Sequence, residues 1–172
     1  QGSSGSVYPY GVIDTLTGER EMRDYQAVWM ENDFLRVMLL PELGGRIHRA
    51  YDKVKQRDFV YYNEVVKPAL VGLLGPWISG GIEFNWPQHH RPTTFKSVDF
   101  SIQQGENGAQ TVWMGEAEPM RGLQVMAGFT LYPDRALIEI TGKIFNGNAT
   151  PRHFLWWANP AVKGSDAHQS VF

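Results

Sequence analysis

Between residues 123 and 144 the chain alternates strictly. Leu123, Val125, Ala127, Phe129 and Leu131 fall on one side of an extended segment, with Gln124 and Thr130 on the other. After the pair Pro133-Asp134, Ile138, Ile140 and Ile144 alternate with Glu139, Thr141 and Lys143. A period of two places one face against a core and the other in water, the pattern of antiparallel sheets. Proline fixes φ and aspartate bonds its own backbone, so the pair between the two runs reads as a turn.

The rest of the chain is punctuated in the same way. Residues 26–30 and 34–40 flank the polar Glu31-Asn32-Asp33, a hairpin signal. A turn at 41–45 precedes a strand over 46–51, and a charged turn at 53–57 precedes an aromatic strand over 59–62. Turn clusters at 105–108 and 146–148 separate the later strands. Apolar residues nowhere recur at helical spacing over three turns without a Gly or Pro interruption. The expected fold is therefore all-β, an antiparallel sandwich.

With 172 residues the chain is long enough to bury a core as a single domain, assigned to 7–172; residues 1–6 (QGSSGS) have the composition of a linker or tag. No cysteine is present, which removes a disulfide scaffold, a zinc knuckle and a thiol nucleophile. A net charge of −2 without a basic run argues against nucleic acid as a partner. No run approaches the roughly 20 apolar residues of a membrane helix, and no leader pattern is visible, so a cytoplasmic location is expected. The histidines lack ligand spacing, and no phosphate loop or dinucleotide fingerprint occurs; no metal and no cofactor are expected. The aromatic share, 13% with six Trp, is high enough to supply a stacking surface as well as a core.

Residues 63–94 form one long irregular stretch, and such a stretch inside a domain is usually functional. Its densest part, residues 80–91, offers Glu83, Asn85, Trp86, His89, His90 and Arg91. Sugars need that mixture: an aromatic plate under the C–H face and planar polar groups for the hydroxyls. If the segment is extended, Glu83 and Asn85 point one way, Phe84 and Trp86 the other. A plain packing role, with aromatics closing the end of the sandwich, is the competing reading. Glu83, His89 and His90 are the candidates for proton transfer, because imidazole titrates near neutrality.

Arg46 follows the double glycine Gly44-Gly45, where close approach of a ligand or backbone is easy. On a regular strand it shares a face with His48, opposite Ile47, Arg49 and Tyr51; His48 itself reads as solvated. Of Trp156 and Trp157 one must face the core and the other the opposite side, so Trp157 or its neighbour is a second candidate plate. Glu116 and Glu118 read as solvated edge charges.

Leu40-Pro41-Glu42-Leu43-Gly44-Gly45-Arg46-Ile47, followed by Tyr61-Tyr62-Asn63, resembles the opening of the galactose-mutarotase-like (aldose 1-epimerase-like) superfamily. The stretch from Gly142 to Trp157-Ala158-Asn159-Pro160 resembles its middle. The block Gly80-Gly81-Ile82-Glu83-Phe84-Asn85-Trp86-Pro87 is similar to an uncharacterised bacterial branch in which the domain precedes tetratricopeptide repeats. The resemblance implies an antiparallel supersandwich, of which this chain would be an incomplete, N-terminal portion, with a concave sheet that binds carbohydrate. The family's acid histidine falls in a segment resembling Leu155 to Val162, where the position that looks equivalent is Asn159, and an amide cannot give and retake a proton near neutrality. What carries over is Arg46 near the cleft edge and residues 83–90 as cleft wall.

The expectation is thus a carbohydrate-binding domain, with Arg46, Asn85, Trp86, Arg91, Trp157 and Asn159 as contacts. One alternative is a glycoside- or aldose-processing enzyme using Glu83 and His89 or His90. Another is a structural module that self-associates or rests against a following repeat domain.

Overall fold

The alternating run becomes a long hairpin, β10 (Leu123–Leu131) and β11 (Ile138–Asn146), in register from Leu123 opposite Asn146 to Leu131 opposite Ile138. The computed structural model describes residues 9–10, 15, 17–71, 75–87 and 90–171. Ahead of the hairpin in the chain come β1 (Val28–Glu31), β2 (Leu35–Leu40), β3 (Arg46–Asp52), β4 (Arg57–Asp58), β5 (Pro68–Val71), β6 (Gly75–Ile78), β7 (Ile82–Asn85), β8 (Asp99–Gln104) and β9 (Gln110–Glu118); β12 (Trp157–Pro160) follows it. Among the described residues every pairing is antiparallel. One sheet runs β1-β2-β3-β7-β12 with β4 on β3, the second runs β11-β10-β9-β8, and β5-β6 is a separate small hairpin.

The two large sheets pack face to face. Val28, Met30, Leu35, Val37, Leu39, Ile47, Ala50 and Phe84 from the first meet Val112, Met114, Leu123, Val125, Ala127, Phe129 and Leu131 from the second in one buried cluster. Each such aliphatic or aromatic side chain contributes about 1.5–3 kcal/mol on leaving water. The all-β sandwich is therefore the observed architecture. No helix among the described residues is long and apolar enough to cross a membrane.

Three local expectations change. Residues 59–62 are not a strand: after Phe59 N–H bonds to Ala50 O, the chain turns away, Val60 enters the core and Tyr61 N–H bonds to Ala161 O. Residues 63–94 are not wholly irregular, since β5, β6 and β7 lie within them. Strict alternation along β3 is broken by a bulge: Leu39 pairs with Ile47 and Met38 with Arg49, which leaves His48 without an opposite residue. Ile47 and Ala50 both enter the core, while Arg49 and Tyr51 point outward beside Trp29 and Arg36. A bulge adds one residue and so reverses the faces beyond it.

The outer face of the first sheet is partly roofed. Leu40, Leu43 and Ile78 form a second buried cluster there, with Tyr25, Ala27, Met38, Val66 and Phe95 against it.

Candidate functional site

Strand β7 organises the site. Gly80 and Gly81 both have positive φ (92° and 65°), a conformation glycine adopts without a Cβ penalty. At Gly81 the approach to β3 is so close that a Cβ would overlap the Ile47 carbonyl oxygen. This lets Ile82 pair with Ile47, the contact that joins β3 to β7. From there the alternation is regular. Phe84 goes into the core against Phe129 and Trp156, with ring centroids at 4.9 and 6.1 Å. Glu83 and Asn85 take the outer face, as the sequence pattern requires.

Glu83 is 1% exposed, yet its carboxylate is well supplied. Asn85 Nδ2 donates to Oε2 at 3.0 Å, Thr94 Oγ1 donates to Oε1 at 2.8 Å, and His90 Nδ1 lies 2.7 Å from Oε2. Asn85 Oδ1 in turn accepts the backbone N–H of Arg91 at 2.7 Å, so the amide is used at both ends. A buried polar group without such partners would cost about 1–3 kcal/mol.

Two buried arginines hold the surrounding loops. Arg46, 2% exposed, donates to the carbonyl of Ile78 at 3.1 Å and to that of Gly80, fastening the roof segment down. Burial, reinforced by Arg91 and opposed by Glu83, lowers its pKa to about 10. Arg91, 1% exposed, donates to Gly44 O and lies 4.0 Å from the centroid of Trp86. Burial pushes the Arg91 pKa down, against the pull of Glu116 and Glu83. Glu116 accepts from Trp86 Nε1 at 2.9 Å and Thr93 Oγ1 at 2.7 Å, with Arg91 at 3.7 Å.

The outer rim is different. β12 pairs with β7 so that Trp157 lies opposite Asn85 and Asn159 opposite Glu83. Trp157 and Asn159 are part-exposed, and the His90 ring stands edge-on to Trp157 at 5.0 Å and 75°. Trp156 packs on the core, so the two neighbouring indoles do face opposite ways.

The structure thus gathers Arg46, Glu83, Asn85, Trp86, His90, Arg91, Trp157 and Asn159 around one strand. His89 lies outside the described residues. Trp86 is corrected from an open plate to a core residue: it is 2% exposed, with its N–H on Glu116 and Arg91 over its ring. Arg46 is likewise spent on backbone carbonyls rather than open at a cleft edge. His48 is not solvated but 4% exposed, edge-on to Tyr62 at 5.5 Å. Burial first, then Arg46, push its pKa to about 4, against a backbone hydrogen bond with Asn63.

Glu116 and Glu118 are also corrected. Glu118 is 1% exposed and accepts the backbone N–H groups of Met120 and Arg121, closing the turn before β10. Val112, Met114, Glu116 and Glu118 share the inward face of β9, so period two alone could have found these carboxylates. Thr93 and Thr94 carry no such signal. Among the described residues no group of three or more His, Asp or Glu side chains is placed to hold a metal ion.

Comparison with solved structures shows a close likeness of fold. The chain superposes with a TM-score of 0.85 on the crystal structure of a TPR-domain containing protein from Parabacteroides distasonis ATCC 8503. The sequences are 22% identical; the match covers 90% of this chain and 27% of that one. At sequence level, residues 3–172 match the family described as Domain of unknown function (DUF5107), and the chain belongs to that family.

Proposed function

We propose that this domain binds a carbohydrate at the rim of the first sheet, where Trp157, His90 and Asn159 meet. One observation carries the reading: a part-exposed indole stands beside an imidazole anchored from below by a buried carboxylate. An indole offers its face or edge to the C–H groups of a sugar ring, while His90 and Asn159 offer planar hydrogen-bonding groups. The resemblance of residues 40–47 to the opening of the galactose-mutarotase-like superfamily, whose concave sheet binds sugars, supports a carbohydrate as the ligand. The experiment is isothermal titration of the intact protein against a panel of mono- and oligosaccharides. Binding is expected, weakened about tenfold by Trp157→Ala, within the range of a lost stacking contact. No heat from any sugar at roughly 10 mM, the weak limit for an open site, would overturn the reading.

A second reading is favoured by a different observation. Leu137 (49%), Phe145 (63%), Phe154 (52%) and Leu155 (53%) are exposed, and Leu137 lines a largely apolar cavity of about 310 Å³ together with Leu35, Ile47, Ile82 and Ile138. Exposed large apolar side chains in this number favour an interaction face. On this reading the sandwich is a scaffold that packs against another domain or a second copy. Sedimentation velocity decides: a monomer across a wide concentration range removes self-association.

A further inference from the structure

Glu83 is acceptor-only in its carboxylate form, and it receives Asn85 and His90 on Oε2 and Thr94 on Oε1. Both neighbours other than His90 have a hydrogen to give. The carboxylate form of Glu83 cannot donate, so the short approach of Nδ1, 2.7 Å, needs the imidazole hydrogen at that nitrogen. A neutral imidazole carries one N–H, so Nε2 is left with a lone pair. Nε2 has no hydrogen-bond partner among the described residues and is not among their buried unpartnered atoms, while 17% of the side chain stays open. The ring is fixed from two sides, by Glu83 at Nδ1 and by the perpendicular Trp157. A carboxylate behind a histidine is the arrangement that sets which ring nitrogen meets a ligand.

We propose that Glu83 is a positioning residue that keeps the His90 hydrogen on Nδ1, and that His90 Nε2 is the specificity-determining acceptor of the rim. It takes a hydrogen bond from a ligand hydroxyl lying beside the Trp157 indole. The site then selects a ligand that presents an O–H there, and rejects one that presents an ether oxygen, because two acceptors would face each other without a hydrogen. A site built around a hydrogen bond discriminates strongly against an analogue that cannot make it. The ligand class rests on the carbohydrate reading above; the position of the hydrogen does not.

The test has two arms. In the ¹⁵N-labelled intact protein, at a pH well above neutrality, long-range ¹H–¹⁵N correlation reports each ring nitrogen. The expected spectrum shows His90 Nδ1 as the protonated type and Nε2 as the bare type; the reverse assignment overturns the inference. In the second arm, His90→Asn retains an amide able to donate to Glu83 but has nothing at the Nε2 position. This variant is expected to keep the wild-type thermal midpoint and to lose about tenfold or more in affinity for the sugar bound best, the worth of one hydrogen bond. The O-methyl derivative of that sugar is expected to bind wild type as weakly as the parent binds the variant. Undiminished binding by His90→Asn overturns the acceptor role. If wild type binds no sugar, the carbohydrate reading falls and the nitrogen assignment alone decides this one: the reverse form refutes it, and the expected form sustains the positioning role of Glu83.

Discussion

Acidification offers a sharp test of the buried cation cluster under the roof. His48 is 4% exposed, its Nδ1 has no hydrogen-bond partner among the described residues, and Arg46 is a charged neighbour. Burial and Arg46 together set its folded pKa at about 4. In the unfolded chain the group returns to about 6.5. The sign follows directly. Above about pH 6.5 both states are neutral at this site and it contributes no pH dependence. Between about 6.5 and 4 the unfolded chain holds a proton that the folded chain does not, so stability falls as pH falls. The slope approaches 1.4 kcal/mol per pH unit, and across the window the loss reaches about 3 kcal/mol. Urea unfolding followed by tryptophan fluorescence, repeated from about pH 7.5 to 4.5, measures it in wild type and in His48→Gln. Carboxylates common to both proteins cancel in the difference. The variant should start lower, having lost a packed ring, and the gap should close as acid is added. A gap constant within about 0.5 kcal/mol across that range would refute the argument that His48 is folded in its neutral form.

Other substitutions probe the rest of the frame. Gly81→Ala, at φ 65° and against the Ile47 carbonyl, should cost about 3 kcal/mol or more by urea unfolding; a loss below about 1 kcal/mol would remove the close approach of β7 to β3 as a constraint. Glu116→Ala strands the Trp86 N–H and the Thr93 hydroxyl and leaves Arg91 less compensated, for about 3–5 kcal/mol, and Glu116→Gln should cost clearly less. Asp58→Asn breaks the 2.7 Å bridge to Arg49, but that pair is part-exposed, so the change in thermal midpoint should correspond to under about 1 kcal/mol and shrink in salt.

Much of this architecture is written in local alternation. The β10–β11 hairpin was legible because its core face reads Leu-Val-Ala-Phe-Leu at every second position, with a turn pair between the strands. Glu83 and Asn85 sharing a face, and Trp156 and Trp157 facing opposite ways, follow from the same rule. The rule fails where one residue is added: the His48 bulge reverses the faces of β3, and nothing in Arg-Ile-His-Arg-Ala-Tyr announces it. The rule holds in β9, where Glu116 and Glu118 continue the register of Val112 and Met114. Charge suggested solvent, but Trp86, Thr93 and the N–H groups after Glu118 supply the partners a buried carboxylate needs.

What no local pattern holds is which polar groups are already spent. Arg46 reaches a carbonyl 34 residues away and Arg91 one 47 residues away, contacts fixed by how the roof and the turn at Gly44 close over β7. A cluster of carboxylate, amide, imidazole and guanidinium therefore divides into two layers that composition cannot separate. In the inner layer Glu83 and Asn85 bond each other while Arg46, Asn85 and Arg91 hold backbone groups, and truncating any of them leaves a buried partner unpaired. In the outer layer His90, Trp157 and Asn159 keep open surface. Mutations in the inner layer should therefore lower stability first and change ligand affinity only through His90. Mutations of Trp157 and Asn159 should change affinity more than stability, while His90→Ala also removes a partner of the buried Glu83 and should lower both. A set of alanine variants plotted as binding loss against unfolding free energy should then split into two groups by layer; a single line through all of them would mean that the buried network and the rim are one site.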